Sequence, residues 1–213
     1  MEVAEFGTLD SFQYDQGRLN EPLTTNLLLD IASGLDALHK CNIIHGDVKS
    51  ENVLICRHKH RKYVAKLSDF GLSIINPDPE ALHKLIGGTW LWEAPEIETR
   101  MSVQGLKQTD LFSLGLLIWR VLTNKFMPYE TLGQDIVNRY WSPDQKSFIL
   151  SVKQDSEFCG IVLHSLRYSG IDEWAKSFGI AILPHSLGHD PKSRCLQKIL
   201  GEMQNPRRGI PQR

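Results

Sequence analysis

The chain has 213 residues, 41% of them hydrophobic, enough for one large domain or two small ones with a packed core. Its 24 basic and 25 acidic side chains leave a net charge of −1, which argues against nucleic acid or an anionic membrane as the main partner. The four cysteines, Cys41, Cys56, Cys159 and Cys195, form no CxxC pair, so neither a zinc site nor a disulfide framework is expected, and a reducing compartment is.

The opening "MEVAEFGTLD" is acidic and has no apolar h-region, so no secretory signal is expected; the segment reads as extended up to a turn at Gly7. In "LTTNLLLDIASGLDALHKCN" the apolar residues at 27, 28, 31, 35 and 38 have helical spacing, with Thr24 or Thr25 as the N-cap. The loop "HGDVKSEN" follows. "VLIC" then reads as a short strand, "RHKHRK" as a solvated hairpin tip, and "YVAKLSDF" as the returning strand. From Asp69 to Glu96 periodicity lapses, and "NPDPE" and "IGG" are loop signals. A buried helix is expected from roughly Thr109 to Thr123; its apolar core, "LFSLGLLIWRVL", is too short to span a bilayer and contains Arg120. "NKFMPYETLG" reads as a loop, and 130–182 as short helices broken by glycines. "PKSRCLQKILGEM" is the expected last helix, with Asp190 as N-cap and Pro191 in its first turn, before a frayed tail. No internal repeat or low-complexity tract is present.

The chemistry concentrates in "IIHGDVKSENVLI", where Asp47, Lys49 and Asn52 share a short loop that leads into an apolar run. Phosphoryl transfer needs little covalent help from a protein; it needs positioning and charge compensation, which these residue types supply. A lone loop aspartate is ordinarily a turn or a cap. Here it recurs with "DFG" at 69–71, "APE" at 94–96 and "TDLFSLGLLIW" at 109–119. In order and spacing these motifs resemble the protein kinase domain family, most strongly from 27 to 125.

That resemblance implies a fold class: α+β, mainly α, a kinase-like C-terminal lobe with a short β-hairpin at the active-site edge and the upper β-rich lobe absent. It gives a partial kinase domain over 1–204 and a disordered tail over 205–213. It implies ATP and Mg²⁺ as cofactors. Asp47 accepts or orients the proton of a substrate hydroxyl, Lys49 neutralises the transferring phosphate, and Asn52 and Asp69 hold Mg²⁺. Leu54, between Val53 and Ile55, forms the floor under adenine. "DxKxxN" at Lys49, with Thr89 near Asp47, resembles the serine/threonine class and so implies protein serine or threonine hydroxyls as substrates. His45, Phe70 and Asp110 form an internal column, Asp110 accepts backbone N–H groups of the catalytic loop, and Glu96 pairs with Arg194. The expected core joins Leu111, Leu114, Leu117, Ile118 and Trp119 to Leu28, Ile31 and Leu35. The Trp119 N–H needs an acceptor, and Trp141 and Trp174 pack around the same helix.

Two departures stand out. Gly46 occupies the place where many kinases carry the arginine that pairs with a phosphate on the activation segment, so switching through that pair is not expected, although Ser73 and Thr89 offer hydroxyls for modification. "MEVAEFGTL" matches the linker between the lobes, with Met1 at the gatekeeper position and the backbone of Glu2 and Ala4 facing adenine. No GxGxxG loop, "VAIK"-type lysine or glutamate-bearing helix partner is found. The expectation is a serine/threonine protein kinase domain cut at the hinge, with no useful turnover as this chain, in an intracellular, cytoplasmic setting. The alternative is a non-catalytic, kinase-derived interaction module whose exposed upper face binds a partner protein. A small-molecule phosphotransferase is weaker, because "APE" and the helix at 109–119 point to protein substrates.

Overall fold

In the computed structural model, which describes residues 4–124 and 126–205, one long apolar helix organises the rest. The elements run α1 (Leu9–Gln16), α2 (Glu21–Lys40), β1 (Ile43–Ile44), β2 (Val53–Cys56), β3 (Val64–Leu67), β4 (Ile74–Ile75) and α3 (Val103–Leu122). They continue with α4 (Gln134–Arg139), α5 (Gln145–Gln154), α6 (Phe158–Tyr168), α7 (Glu173–Ile182) and α8 (Leu196–Gln204). This is the expected mainly helical, kinase-like lobe with small sheets.

Helix α3 is apolar on nearly every side and is buried from Leu106 to Leu122 with few gaps, as a helix without a polar stripe must be. Leu111, Leu114, Leu117, Ile118 and Trp119 share one core cluster with Leu28, Ile31 and Leu35 of α2. Deleting any of these leucine side chains removes about 2–5 kcal/mol of stability. β2 and β3 pair as the expected hairpin, Val53 opposite Leu67 and Cys56 opposite Val64. β1 and β4 form a second antiparallel pair, Ile43 opposite Ile75, and two residues per strand are too few to show as alternation in sequence. No helix among the described residues is long and apolar enough to cross a membrane.

Several local expectations are corrected. Asn20, not Thr24 or Thr25, caps α2: its side chain accepts from Leu23 N at 3.1 Å, and Thr24 is buried a turn inside the helix. α1 follows Gly7, capped by Thr8, in a segment read from sequence only as far as the turn. α3 begins earlier than Thr109, with Ser102 as its cap, because its polar Gln104, Lys107 and Gln108 hide the first turns. Asp190 and Pro191 start a separate 3₁₀ turn, Pro191–Ser193, and the last helix begins only at Leu196. Gly160 and Gly179 lie inside α6 and α7 rather than between helices. Trp174 does pack on the core, but Trp141 is exposed. Trp119 Nε1 has no acceptor among the described residues, because apolar side chains surround it. The tail expected over 205–213 lies outside the described residues beyond Asn205.

Candidate active site

The loop between β1 and β2 is held from below by one carboxylate. Asp110 of α3, 2% exposed, accepts His45 N and Gly46 N, both at 2.9 Å, and lies 2.8 Å from His39 Nε2. This is the expected role of Asp110. His39 had gone unnoticed in the sequence; the signal was its place four residues after Leu35, on the buried face of α2. His45 donates from Nε2 to Ser68 O (3.1 Å) and accepts Asp47 N–H at Nδ1 (3.3 Å), which defines its tautomer. Its ring lies 5.3 Å from that of Phe70, completing the column with Asp110.

Gly46 has φ +80°, and a Cβ there would stand 2.7 Å from Leu72 O. Only glycine takes that conformation and that approach without strain. The departure from the arginine pattern is therefore built into the backbone path of this loop.

Asp47 is 8% exposed, and both its oxygens are engaged. Oδ2 accepts Asn52 Nδ2 at 2.8 Å and pairs with Lys49 Nζ at 2.6 Å. Oδ1 accepts Thr89 Oγ1 at 3.0 Å, and Lys49 Nζ also donates to Thr89 Oγ1 at 2.7 Å. Burial pushes the Asp47 carboxyl up. The hydrogen bonds from Lys49, Thr89 and Asn52, with the lysine charge, outweigh it and hold the group below its ordinary value. Asp47 is thus ionised at neutral pH, and a carboxylate has room for a further donor on Oδ1.

Asn52, 5% exposed, spends its Nδ2 on Asp47, both on the carboxylate and on the main-chain carbonyl at 2.9 Å. That leaves Oδ1 as an oxygen ligand. Ser68 ties the next strand to this point, giving both N (2.9 Å) and Oγ (3.0 Å) to Asn52 O. Asp69 follows, exposed, at φ +60°, with Oδ1 accepting Gly71 N at 3.2 Å. A left-handed conformation at a non-glycine residue costs on the order of 1–2 kcal/mol and recurs at functional sites. The amide oxygen of Asn52 and the Asp69 carboxylate are hard oxygen donors, a chemistry that suits Mg²⁺.

The linker lies against β2. Phe6 N donates to Ile55 O (3.2 Å), Ile55 N donates to Gly7 O (2.9 Å), and Thr8 bridges Leu54. Val53 and Ile55 are buried while Leu54 is half-buried, so Leu54 shares the edge formed by the linker and β2. Ala4 is half-buried, its carbonyl accepting Gly7 N at 3.3 Å; Met1 and Glu2 lie outside the described residues. Ser73 and Thr89, the two hydroxyls noted for modification, both hold internal bonds, to His45 O (2.8 Å) and to Asp47. Arg194 grips Glu96 with both terminal nitrogens, NH2 to Oε2 at 3.2 Å, and also binds Gln108 O and Gly188 O at 3.0 Å.

The family model described as protein kinase domain matches residues 1–200. The chain is 32% identical to ephrin type-A receptor 3 of Danio rerio over 181 residues, which is 83% of this chain and 17% of that protein. It is 34% identical to Aurora kinase of Saccharomyces cerevisiae over 157 residues, 73% of this chain and 40% of that protein. It is also 34% identical to mitogen-activated protein kinase kinase kinase 12 of Rattus norvegicus over 143 residues, 65% of this chain and 15% of that protein. The chain therefore spans less than half the length of each of these relatives. With a family match over residues 1–200, this chain belongs to the protein kinase domain family.

Proposed function

We propose that this chain forms the lower, catalytic face of a serine/threonine protein kinase, transferring the terminal phosphoryl group of ATP to hydroxyls of protein substrates. The observation that carries this reading is the triangle of Asp47, Lys49 and Thr89, with Asn52 bonded to its aspartate corner. Asp47 orients the substrate hydroxyl and takes its proton as the oxygen forms its bond to phosphorus and the bridging P–O bond of ATP breaks. Its lowered basicity favours orientation early and proton uptake late. Lys49 compensates charge on the phosphoryl oxygens, from a position set by Asp47 and Thr89. Asn52 Oδ1 and Asp69 would hold Mg²⁺, which would neutralise phosphate charge when bound. Leu54 and the linker backbone at Glu2 and Ala4 meet adenine. Lys49 and Thr89 on one aspartate support the serine/threonine class.

Residues 1–204 make up one partial kinase unit, with 205–213 as its tail. The four cysteines among the described residues are free thiols, which fits an intracellular, reducing setting.

Binding tests the site without requiring turnover. Mn²⁺ with a non-hydrolysable ATP analogue should broaden the amide resonances of Asn52, Asp69 and Leu54, and Asp69→Ala should abolish the effect. Broadening confined to other parts of the chain, or identical in Asp69→Ala, would sink the proposal.

A second reading has its own observation. Phe70, Leu72 and Ile86 expose apolar surface beside the site, Ile86 at 99%, as a module that docks a partner protein on its upper face would. A kinase-derived module of that kind would bind its partner equally well after Asp47→Asn and Asp69→Ala.

A further inference from the structure

The segment that carries Thr89 is held in an unusual way. Each main-chain carbonyl from Trp90 to Glu93 accepts a side-chain donor from another element. Lys153 Nζ donates to Trp90 O (2.9 Å) and Glu93 O (2.8 Å), Tyr129 OH donates to Leu91 O (2.6 Å), and Ser113 Oγ donates to Trp92 O (2.8 Å). Trp92 N closes a turn back onto Thr89 O at 2.7 Å. The same Thr89 then gives its hydroxyl to Asp47. A chain of direct contacts therefore runs from α5 through 93–89 to the catalytic-loop aspartate.

Lys153 is the member that sequence would assign to solvent. It lies on α5 and is 2% exposed, and its ammonium stands 5.4 Å from the centre of the Tyr129 ring. Its surroundings are two carbonyls and an aromatic face, a complete set of partners for three N–H donors. A lysine buried in this way is expensive, and a purely packing role would be served better by methionine or leucine.

We propose that Lys153 is a positioning residue for phosphoryl transfer: by clamping the carbonyls of Trp90 and Glu93 it fixes the turn that aims Thr89 at Asp47. The proposal rests on the kinase reading only in giving Asp47 its catalytic role. Burial pulls the Lys153 ammonium down from its usual value to about 7, against the opposing pull of Glu93. The folded site accordingly favours the neutral amine as pH rises through neutrality, and opening the clamp to water lets Lys153 take up a proton. The other titratable or charged groups around it are Tyr129 and Glu130 on the turn at 128–130, and Glu93, Glu98 and Lys146, which line a small cavity together with Lys153.

The test is amide hydrogen exchange and amide chemical shifts on the 213-residue chain, as wild type, Lys153→Met and Lys153→Arg. Lys153→Met should speed exchange across 89–94 about tenfold or more relative to α3, and should shift the amides of Thr89, Asp47 and Lys49; Lys153→Arg should restore both. In the wild type, the opening free energy of 89–94 should rise with pH from about 7 to 9, because opening exposes Lys153 and lets it bind a proton, a dependence that a packing residue would not show. Wild-type exchange and unmoved shifts in Lys153→Met would overturn the proposal, as would an opening free energy of 89–94 that is flat or falls over that pH range, which needs no variant to fold. Neither readout involves nucleotide, so the clamp can fail while the kinase reading stands, and the reverse.

Discussion

Thr89 donates its hydroxyl to Asp47 across 3.0 Å although 42 residues separate them, and Lys49 bonds to both. The contact gives the aspartate a third neighbour besides Lys49 and Asn52, and it ties the segment at 89–93 to the loop that carries Asp47.

Replacing this hydroxyl should be visible at the carboxyl. Thr89→Val keeps the shape and removes one donor, so the Asp47 carboxyl should rise toward its ordinary value, while Thr89→Ser should leave it unchanged. Because the folded-state value is depressed, Asp47 contributes stability that is present above the unfolded value of about 3.8 and lost as pH falls through the folded one. Thr89→Val should lose part of that acid stability. Carbon-detected NMR titration of Asp47 checks the shift, and acid unfolding of the pair of variants checks the linkage.

Arg194 and Glu96 offer a second measurement. The guanidinium is buried and also serves Gln108 O and Gly188 O, so removing it strands a carboxylate and two carbonyls. Arg194→Ala should lose about 3–5 kcal/mol, with Glu96→Gln costing less because an amide still accepts one bond. Urea unfolding midpoints at constant m-value decide this; a loss within 1 kcal/mol of zero, roughly the worth of an exposed ion pair, would show the pair to be a surface contact.

Gly46 cannot simply be returned to arginine. With φ +80° and a Cβ position 2.7 Å from Leu72 O, Gly46→Arg should destabilise the chain by at least the ~1–2 kcal/mol of left-handed strain, and no phosphate-responsive switch should follow. Thermal unfolding of Gly46→Ala beside Gly46→Arg separates the backbone effect from that of the added charge: both should fall by similar amounts.

Lys153 makes a stability prediction of the opposite sign from an ordinary ion pair. Its folded-state value is about 7 against a model-peptide value of 10.5, so between those limits the unfolded chain binds more protons and stability should rise with pH. The slope is at most about 1.4 kcal/mol per pH unit. Cys159, pushed up to about 11 by burial, and Tyr129 act the other way above about pH 9, so the clean window is about 7 to 9. Lys153→Met should flatten the rise in chemical-denaturation curves across that window; a wild-type curve that is already flat would contradict the buried ammonium.

Much of the architecture was legible because its signals are local or repeat at a fixed period. The burial of α3 follows from an apolar run with no polar stripe, and the β2–β3 hairpin from alternation on either side of a basic tip. Asp47, Lys49, Asn52 and Asp69 were visible as motif residues, as were the Asp110 and Glu96–Arg194 contacts through the family resemblance. Element ends were less legible. Asn20 and Ser102 are caps only by virtue of the backbone that follows them, and equivalent candidates stood nearby in both places.

From the amino-acid order alone came the family and the helix at the centre, since each depends on residue type at short, set spacings. Three-dimensional packing alone decided that Lys153, Tyr129 and Ser113 should all hold the segment 90–93, that the Trp119 N–H should find no acceptor among the described residues, and that Trp141 should face water. A lysine reads as solvent-facing until the carbonyls it must satisfy are brought to it from some sixty residues away, and burial of a polar group is a property of that meeting, not of the residue.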